Sequence, residues 1–391
     1  MDQIDHEYST PRRDFLKRTA GGFLAATIIP LQRRLRPFSS SFPDDKPATN
    51  IRDALKYPRT ERSLPGRYPA RVIQSSRDDC MTAGKPDAAK VDAMLQACML
   101  ALTGERTLSA AWGVFVEPDD LVGLKVNPVA GKELSTSLEL TRAVIRQLEV
   151  AGIPRERIVI WDRREFELKE TGFTAENFPG IRIVGTEWKN EKDSFFDEDG
   201  LPLGRQRIDE NWYYWADCEE KYDNETLPYM VNEGKYSYFS SIVTKEMTKI
   251  INIPILKNAG PTVTLCLKNL AYGSITNTGR LHRQLWAETC AQVPCFPPLR
   301  DKVVLNIVDG IVGCYEGGPG ANPQFIVPFN TLLVGTDPVA VDRIGYDIVL
   351  RKRLEMKVQK KESPRGTAFL ALAETYNIGI GDPEKIDLRK V

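Results

Sequence analysis

Residues 121–161, LVGLKVNPVAGKELSTSLELTRAVIRQLEVAGIPRERIVIW, decide the fold class. The apolar run at residues 121–126 predicts a buried strand, and residues 137–150 predict a helix with a Ser/Thr-rich start suited to capping. The loop at residues 151–154 ends that helix, and residues 157–161 predict the next strand. A strand, a helix and a second strand in this order form a βαβ unit, whose two strands lie parallel in one sheet.

The same alternation extends on both sides of this unit. Residues 88–102 carry apolar side chains at helical spacing, and Asp337 with Pro338 marks the start of a long helix. Further short apolar runs are typical of strands and occupy residues 181–184, 249–256, 302–308 and 331–335. The pattern predicts an α/β fold with a mostly parallel sheet flanked by helices.

Residues 187–240 interrupt this rhythm with an acidic, aromatic-rich stretch that includes Trp212, Tyr213, Tyr214 and Trp215. We interpret it as an insertion packed over the sheet. Its aromatic side chains either close the insertion's own core or form a platform for a sugar or aromatic substrate. A third interpretation makes the insertion a surface for a protein partner.

The N-terminus has the pattern of an export signal. Arg12 and Arg13 precede Phe15-Leu16-Lys17 and a weakly apolar stretch of about 12 residues, shorter than the roughly 20 that span a bilayer. This resembles a bacterial twin-arginine signal, although an amphipathic helix with a basic start has a similar pattern. We therefore expect residues 1–45 to be signal and linker, residues 46–391 to form one large domain, and the protein to be exported to the periplasm by the twin-arginine machinery.

Composition excludes several classes of function. The chain has 391 residues, with 53 basic and 53 acidic side chains, and this balance disfavours a nucleic-acid partner. The two histidines, His6 and His282, are too few for a histidine-rich metal site. The seven cysteines include no C-x-x-C pair, so a ferredoxin-type iron–sulfur motif is absent, and buried free thiols or a Cys290–Cys295 disulfide remain open. The glycine fingerprint of NAD-binding folds and the G-x-S-x-G elbow of hydrolases are also lacking.

Three polar, glycine-containing segments are candidates for a site. The first is Lys125-Val-Asn127-Pro128, at the carboxyl end of a predicted strand, where ligands of α/β sheets bind. The second extends from Lys257 through Lys268 and Asn269 to His282, and the third covers residues 309–320.

These segments resemble the DUF362 family, a domain of unknown function. The resemblance is carried by the motifs GLKVN, TVTLCLKNL followed by R-x-H, VDGIVG with EGGP, and GTDPVAVD, and it spans roughly residues 65–353. It implies an α/β fold and a polar site built from the motifs, but no reaction. The chain is similar to exported members rather than to those with a ferredoxin-like domain, because the cysteine motifs are missing.

Side-chain chemistry assigns expected roles. His282 is the candidate acid or base, Lys268 a base, amine nucleophile or charge stabiliser, and Glu316 the partner carboxylate. Lys268 is alternatively a structural partner of a buried Asp309 or Glu316. The expected substrate-binding residues are Lys125, Asn127, Lys257, Asn269 and Arg280, and the candidate ligands of a divalent or transition metal are Asp309, Glu316 and Cys314.

Together these groups favour an enzyme that performs proton transfer, as an isomerase, epimerase or lyase, on a small anionic or polyhydroxylated substrate. The alternative is a protein that binds or delivers a metal or small ligand without turnover.

Overall fold

A ten-stranded sheet lies at the centre of the computed structural model. The structure describes residues 46–220, 231, 234–260, 262–358 and 366–391, and those from 46 onward belong to one compact unit. The signal and linker predicted at residues 1–45 lie outside the described residues.

The described strands are β1 (Arg71–Ser76), β2 (Met81–Thr82), β3 (Lys85–Pro86), β4 (Val122–Lys125), β5 (Ile158–Arg164), β6 (Arg182–Glu187), β7 (Ile208–Trp215), β8 (Tyr236–Ser240), β9 (Lys249–Asn252), β10 (Ile255–Ala259), β11 (Thr262–Thr264), β12 (Val303–Cys314), β13 (Ile326–Gly335) and β14 (Asp387–Lys390). The described α-helices are α1 (Ile51–Leu55), α2 (Ala88–Thr103), α3 (Leu108–Gly113), α4 (Leu138–Val150), α5 (Glu165–Glu170), α6 (Cys266–Ser274), α7 (Leu281–Gln284), α8 (Trp286–Gln292), α9 (Pro297–Arg300), α10 (Pro338–Glu355) and α11 (Ala368–Thr375).

The central sheet has the order β14-β1-β13-β12-β9-β4-β5-β6, and β10 joins it beside β12 and β11. Strands β9, β4, β5 and β6 are parallel neighbours, whereas β13 is antiparallel to both β12 and β1. The predicted α/β fold class with a mostly parallel sheet is therefore confirmed.

Both faces of the sheet are covered by helices. Successive residues of one strand enter opposite cores: Ile250 belongs to a cluster that includes residues of α6, α8, α10 and α11, while Ile251 belongs to a cluster with residues of α2, α3 and α4. This alternation follows from the two-residue period of a strand, and burial on both faces explains why the strands consist of continuous apolar runs.

A buried carboxylate fixes the start of the helix in the decisive βαβ unit. The hydroxyl of Ser137 caps α4 by accepting from the amide of Leu140. Asp309 of β12 in turn accepts from the amide and hydroxyl of Ser137 at 2.8 and 2.6 Å. Asp309 therefore joins the helix to the sheet.

The apolar run at residues 249–256 forms two strands. Pro254 has no amide hydrogen to donate, and the run is interrupted there between β9 and β10. Strand β12 pairs with both segments in parallel, and its Asp309 amide donates to the Pro254 carbonyl at 2.8 Å. The break lets β10 continue past the end of β9 as a separate strand.

Within residues 187–240, β7 and β8 form a separate antiparallel ladder. Tyr214 and Phe239 are fully buried, whereas Tyr213, Tyr236 and Tyr238 form an aromatic cluster with ring centroids 5.2–6.3 Å apart. Two further aromatic residues of this stretch, Tyr222 and Tyr229, lie outside the described residues. Some of the aromatic side chains of residues 187–240 are therefore part of the local core.

The seven cysteines are all buried free thiols. Cys290 and Cys295 are not bonded to each other, and the Cys295 thiol donates to the Ala291 carbonyl. Among the described residues, no helix has the length and apolar character needed to cross a membrane.

Candidate ligand-binding site

A cavity of about 200 Å³ opens where β4, β5 and β10 end and α6 passes over them. It is lined by Lys125, Asn127, Val129, Asp162, Arg163, Arg164, Lys257, Thr264, Lys268, Asn269, Tyr272, Gly273, His282 and Pro319. This is the carboxyl edge of the parallel strands, the usual ligand position in open α/β sheets. The volume is below the roughly 300–1,000 Å³ of pockets for drug-sized ligands, so the site suits a small one.

Lys125 lies at the floor of the cavity with no exposed surface. Its ammonium donates to the Val126 carbonyl at 2.7 Å, to Oδ1 of Asn269 at 2.9 Å and to the carboxylate of Asp162. Burial lowers the pKa of Lys125, while Asp162 opposes that shift. With all three N–H groups engaged, Lys125 orders the floor of the cavity.

Four asparagine side chains form one hydrogen-bonded chain, which we call the amide chain: Asn127, Asn269, Asn252 and Asn306. Each donates from Nδ2 to Oδ1 of the next at 2.8–2.9 Å, and Asn306 donates to the Thr336 carbonyl at 3.2 Å. A carbonyl can only accept and an ammonium can only donate, so Thr336 sets the orientation of Asn306 and Lys125 sets that of Asn269. The hydrogen bonds between the amides extend this orientation to Asn252 and Asn127.

The free end of the amide chain faces Lys257. The Lys257 amine is fully buried and donates to Oδ1 of Asn127 at 2.8 Å. In the part of the chain that the structure describes, it has no carboxylate partner. Desolvation, together with the charge of Lys268, lowers the pKa of Lys257 to about 7.

Lys268 of α6 is the second cation without a carboxylate within the described ranges. Its ammonium lies 3.5 Å from the Thr264 hydroxyl and 5.6 and 5.8 Å from the ring centroids of Tyr272 and Trp286. Desolvation lowers its pKa, and Arg163 acts in the same direction. The alternative in which Lys268 neutralises Asp309 or Glu316 is wrong, because those carboxylates have other partners.

Two arginines that follow Asp162 on β5 add positive charge to the cavity lining. Arg163 donates to the Tyr272 carbonyl at 3.2 Å and to the Thr278 hydroxyl, and Arg164 donates to buried Glu187 at 3.3 Å. Because Glu187 also lies 3.7 Å from Arg163, one carboxylate is shared between two guanidinium groups.

His282 lies at the rim, with its ring 4.4 Å from that of Tyr272. Its Nδ1 lies 3.0 Å from the Thr278 carbonyl, which assigns the proton to Nδ1 and leaves a lone pair on Nε2. Partial desolvation and the charges of Lys268 and Arg163 lower the pKa of His282 to about 4. His282 is exposed as a residue, so desolvation of its ring is partial, and the charges of Lys268 and Arg163 lower the pKa in the same direction.

The site thus carries more positive than negative charge. Asp162 balances Lys125, Glu167 pairs with Arg164 at 2.7 Å, and Glu187 lies between Arg163 and Arg164, but Lys257 and Lys268 face the cavity without a described carboxylate. An anionic ligand would complete this arrangement.

Six of the predicted site residues line this cavity, namely Lys125, Asn127, Lys257, Lys268, Asn269 and His282. Arg280 does not line it: its guanidinium donates to the carbonyls of Ala216 and Cys218 at 3.0 Å and joins the β7–β8 ladder to the loop before α7.

Glu316 is also directed elsewhere. Its carboxylate pairs with Arg353 of α10, so it does not face His282 across the cavity. From the glycine-rich segment 317–320, only Pro319 lines the cavity. Gly318 lies so close to the Asn258 carbonyl that a β carbon would overlap it.

Comparison with known families bears on these segments. Residues 219–347 match the family model of DUF362, a domain of unknown function. The match supports the resemblance carried by the motifs, over a shorter range than residues 65–353. The matched segment supplies Lys257, Lys268 and His282, whereas Lys125 and Asp162 come from strands that precede it.

Among solved structures, the crystal structure of a Thermotoga maritima protein has a TM-score of 0.34 and 11% sequence identity to this chain. The similarity covers 70% of this chain and 59% of that one, so the chain spans less than two thirds of that protein's length. The comparison with curated proteins gives no match.

The structure does not bring the predicted metal ligands together. Asp309 binds Ser137, Glu316 pairs with Arg353, and the Cys314 thiol donates to the Glu316 carbonyl. Across the described residues, no group of three His, Cys, Asp or Glu side chains is placed to hold a metal ion.

Sequence reasoning missed Arg163 and Arg164 as lining residues, and it assigned no role to Tyr272 and Gly273, which lie within the second candidate segment. The two arginines directly follow an apolar run, so the strand-end rule that identified Lys125 applies to them equally. Tyr272 and Gly273 follow Lys268 and Asn269 on α6, and no local pattern separates them from core positions of a helix.

Proposed function

We propose that this protein is an enzyme that binds a small anionic substrate in the cavity and transfers a proton on it. The observation that carries the proposal is the pair of ammonium groups of Lys257 and Lys268, which line the cavity without a carboxylate partner among the described residues. Each favours an anion, and their low-dielectric surroundings strengthen that attraction.

His282 is the proposed base. With its proton on Nδ1 and a pKa of about 4, the ring is neutral at pH 7 and offers the Nε2 lone pair. Lys268 and Arg163 would stabilise the negative charge that develops when a C–H proton is removed. Lys257 is the second proton-exchanging group, since its pKa of about 7 matches neutral conditions.

The roles of two other residues change accordingly. Lys125 holds Asp162 and Asn269 in place, because its N–H groups are already engaged. Glu316 has no part in the proposed reaction, since it pairs with Arg353.

Calorimetry with inorganic phosphate, propionate and pyruvate tests the binding step. We expect binding that is lost in Lys257→Met and Lys268→Met. Lys302→Met is the matched control, because Lys302 is also desolvated but donates to the carbonyls of Val243 and Thr244. Equal affinities in all three variants would contradict the proposed site.

Proton transfer is tested in D₂O by proton NMR. We expect the wild type to exchange the C–H protons next to the pyruvate carbonyl faster than His282→Gln does. Pyruvate binding without exchange of its C–H protons would indicate a ligand-binding protein without turnover.

We also propose export by the twin-arginine route, supported by Arg12, Arg13 and the apolar stretch that follows. Fractionation of a bacterial host tests this proposal. The protein should reach the periplasm, and Arg12→Lys with Arg13→Lys should retain it in the cytoplasm. Equal export of the double variant would overturn the proposal.

A further inference from the structure

We propose that Lys257 is a nucleophile that forms an imine with the carbonyl group of a 2-oxo acid bound in the cavity. The inference rests on the proposed function, because the substrate's carboxylate must first bind beside Lys268. It adds a covalent step and a substrate class.

The position of Lys257 meets the requirements of an amine nucleophile. It lines the cavity from β10, and among the described residues its one hydrogen-bond partner is Oδ1 of Asn127. A carboxylate partner would hold the amine protonated, whereas a neighbouring cation such as Lys268 favours the free amine. The lowered pKa of Lys257 agrees with this arrangement.

The amide chain keeps the amine correctly oriented. Because Asn127 presents an acceptor, one N–H of the amine is engaged while the nitrogen lone pair remains available. An Asn127 rotated by half a turn would place Nδ2 against the amine and compete for that lone pair. Nδ2 of Asn127 donates to Oδ1 of Asn269, which Lys125 holds in place by a second hydrogen bond, and this arrangement prevents the rotation.

The remaining groups define the substrate class. Lys268 and Arg163 offer positive charge to a carboxylate, and Lys257 offers an amine to an adjacent carbonyl carbon. A carboxylate next to a ketone or aldehyde is a 2-oxo acid. The cavity of about 200 Å³ limits such a substrate to a few carbon atoms.

The step balances without an oxidant or reductant. The Nζ lone pair adds to the carbonyl carbon, and the carbonyl oxygen takes up a proton to give a carbinolamine. That hydroxyl then leaves as water after accepting a second proton, and the C=N bond forms. In the neutral imine both hydrogens of the departing water come from Nζ. In the iminium ion Nζ retains one hydrogen and the second proton of the water comes from solvent, and in both cases the substrate loses its oxygen.

Borohydride trapping tests the inference in the wild-type protein. Pyruvate and sodium borohydride are added together, and the imine is reduced to a stable secondary amine. We expect a mass increase equal to pyruvate minus one oxygen atom, with peptide mapping placing it on Lys257. Lys302 serves as an internal control, since it is desolvated but lies outside the cavity lining.

Variants add a second readout. Lys257→Arg should abolish the adduct, and Lys268→Met should reduce it at least tenfold because the carboxylate loses its partner. An adduct distributed equally over Lys257, Lys302 and surface lysines would overturn the inference. Because the wild type is mapped directly, this result does not depend on how well a variant folds.

Calorimetry separates this inference from the proposed function. Propionate carries the carboxylate but no carbonyl. If propionate and pyruvate bind and pyruvate gives no trapped adduct, the imine is overturned while the proposed function stands. If neither binds, both are overturned.

Discussion

Gly273 of α6 lies directly against the side chain of Lys125. A β carbon at position 273 would overlap Cε and Nζ of Lys125, which three hydrogen bonds hold in place. The helix therefore approaches the end of β4 closely only because residue 273 has no side chain. Lys125 and Gly273 therefore pack directly against each other, in addition to lining the same cavity.

Gly273→Ala should destabilise the protein by about 1–3 kcal/mol, because overpacking forces Lys125 or α6 to move. The measurement is the free energy of unfolding in urea. Gly113→Ala is the matched control, since Gly113 is helical and exposed with open space around its β position. It should be neutral or stabilise by up to about 1 kcal/mol. Equal effects of the two substitutions would show that the contact with Lys125 has no energetic weight.

Lys257→Met should stabilise the protein more at pH 6.5 than at pH 9.5. The folded-state pKa of about 7 lies below the ordinary 10.5, so unfolded lysine binds more protons between these values and wild-type stability rises with pH there. The cost of burying the ammonium is full below pH 7 and disappears above pH 10.5. Urea unfolding of both proteins should show a difference that shrinks by a few kcal/mol over this range. A pH-independent difference would mean that Lys257 is not desolvated.

Asn127→Asp should shift the pKa of Lys257 in the opposite direction. A carboxylate beside Lys257 raises the pKa of the amine and holds it protonated at neutral pH. We expect anion affinity to fall at least tenfold and borohydride trapping at Lys257 to be lost. Calorimetry and mass spectrometry provide the readouts. If Asn127→Asp binds and traps pyruvate as the wild type does, Asn127 does not control the amine.

His282 should titrate near pH 4. Proton NMR of the His6→Gln variant follows His282 as the remaining histidine. Lys268→Met should raise the midpoint, because one of the cations that oppose protonation is removed, whereas Lys302→Met should leave it unchanged. A midpoint near the ordinary 6.5 would contradict the charge environment described for the rim.

Glu316→Ala should lower stability without changing anion affinity. Removing the carboxylate takes away an ion-pair partner of Arg353, which is 4% exposed, at a cost of about 1–3 kcal/mol. Urea unfolding and phosphate calorimetry separate the two effects. Loss of phosphate binding at unchanged stability would instead indicate that Glu316 belongs to the binding site.

The fold was largely predictable because its strands are buried on both faces. Continuous apolar runs identified β4, β5 and β6, and Asp337 accepts from the amides of Val339 and Ala340 as its position before Pro338 predicted. The division of residues 249–256 was not foreseen, although Pro254 is the visible reason for it.

The site was predictable where it follows from strand ends. Lys125, Asn127 and Lys257 line one cavity, and the sequence placed them together because they follow buried runs at one edge of the sheet. Arg280 and Glu316 were misplaced because their partners, the Ala216 carbonyl and Arg353, are distant in sequence. Pairing across such separations is set by tertiary packing, and no local spacing encodes it.

The amide chain has an all-or-none polarity. Its links point in one sense from β12 through β9 and α6 to the residue that follows Val126 after β4, so no single asparagine can flip without leaving two donors or two acceptors in contact. Reversal of the whole chain would oppose Oδ1 of Asn306 to the Thr336 carbonyl and Nδ2 of Asn127 to the Lys257 amine. The Thr336 carbonyl at one end and the Lys125 ammonium at Asn269 therefore both require Oδ1 of Asn127 to face Lys257, so contacts within the sheet and α6 set the acceptor at the amine.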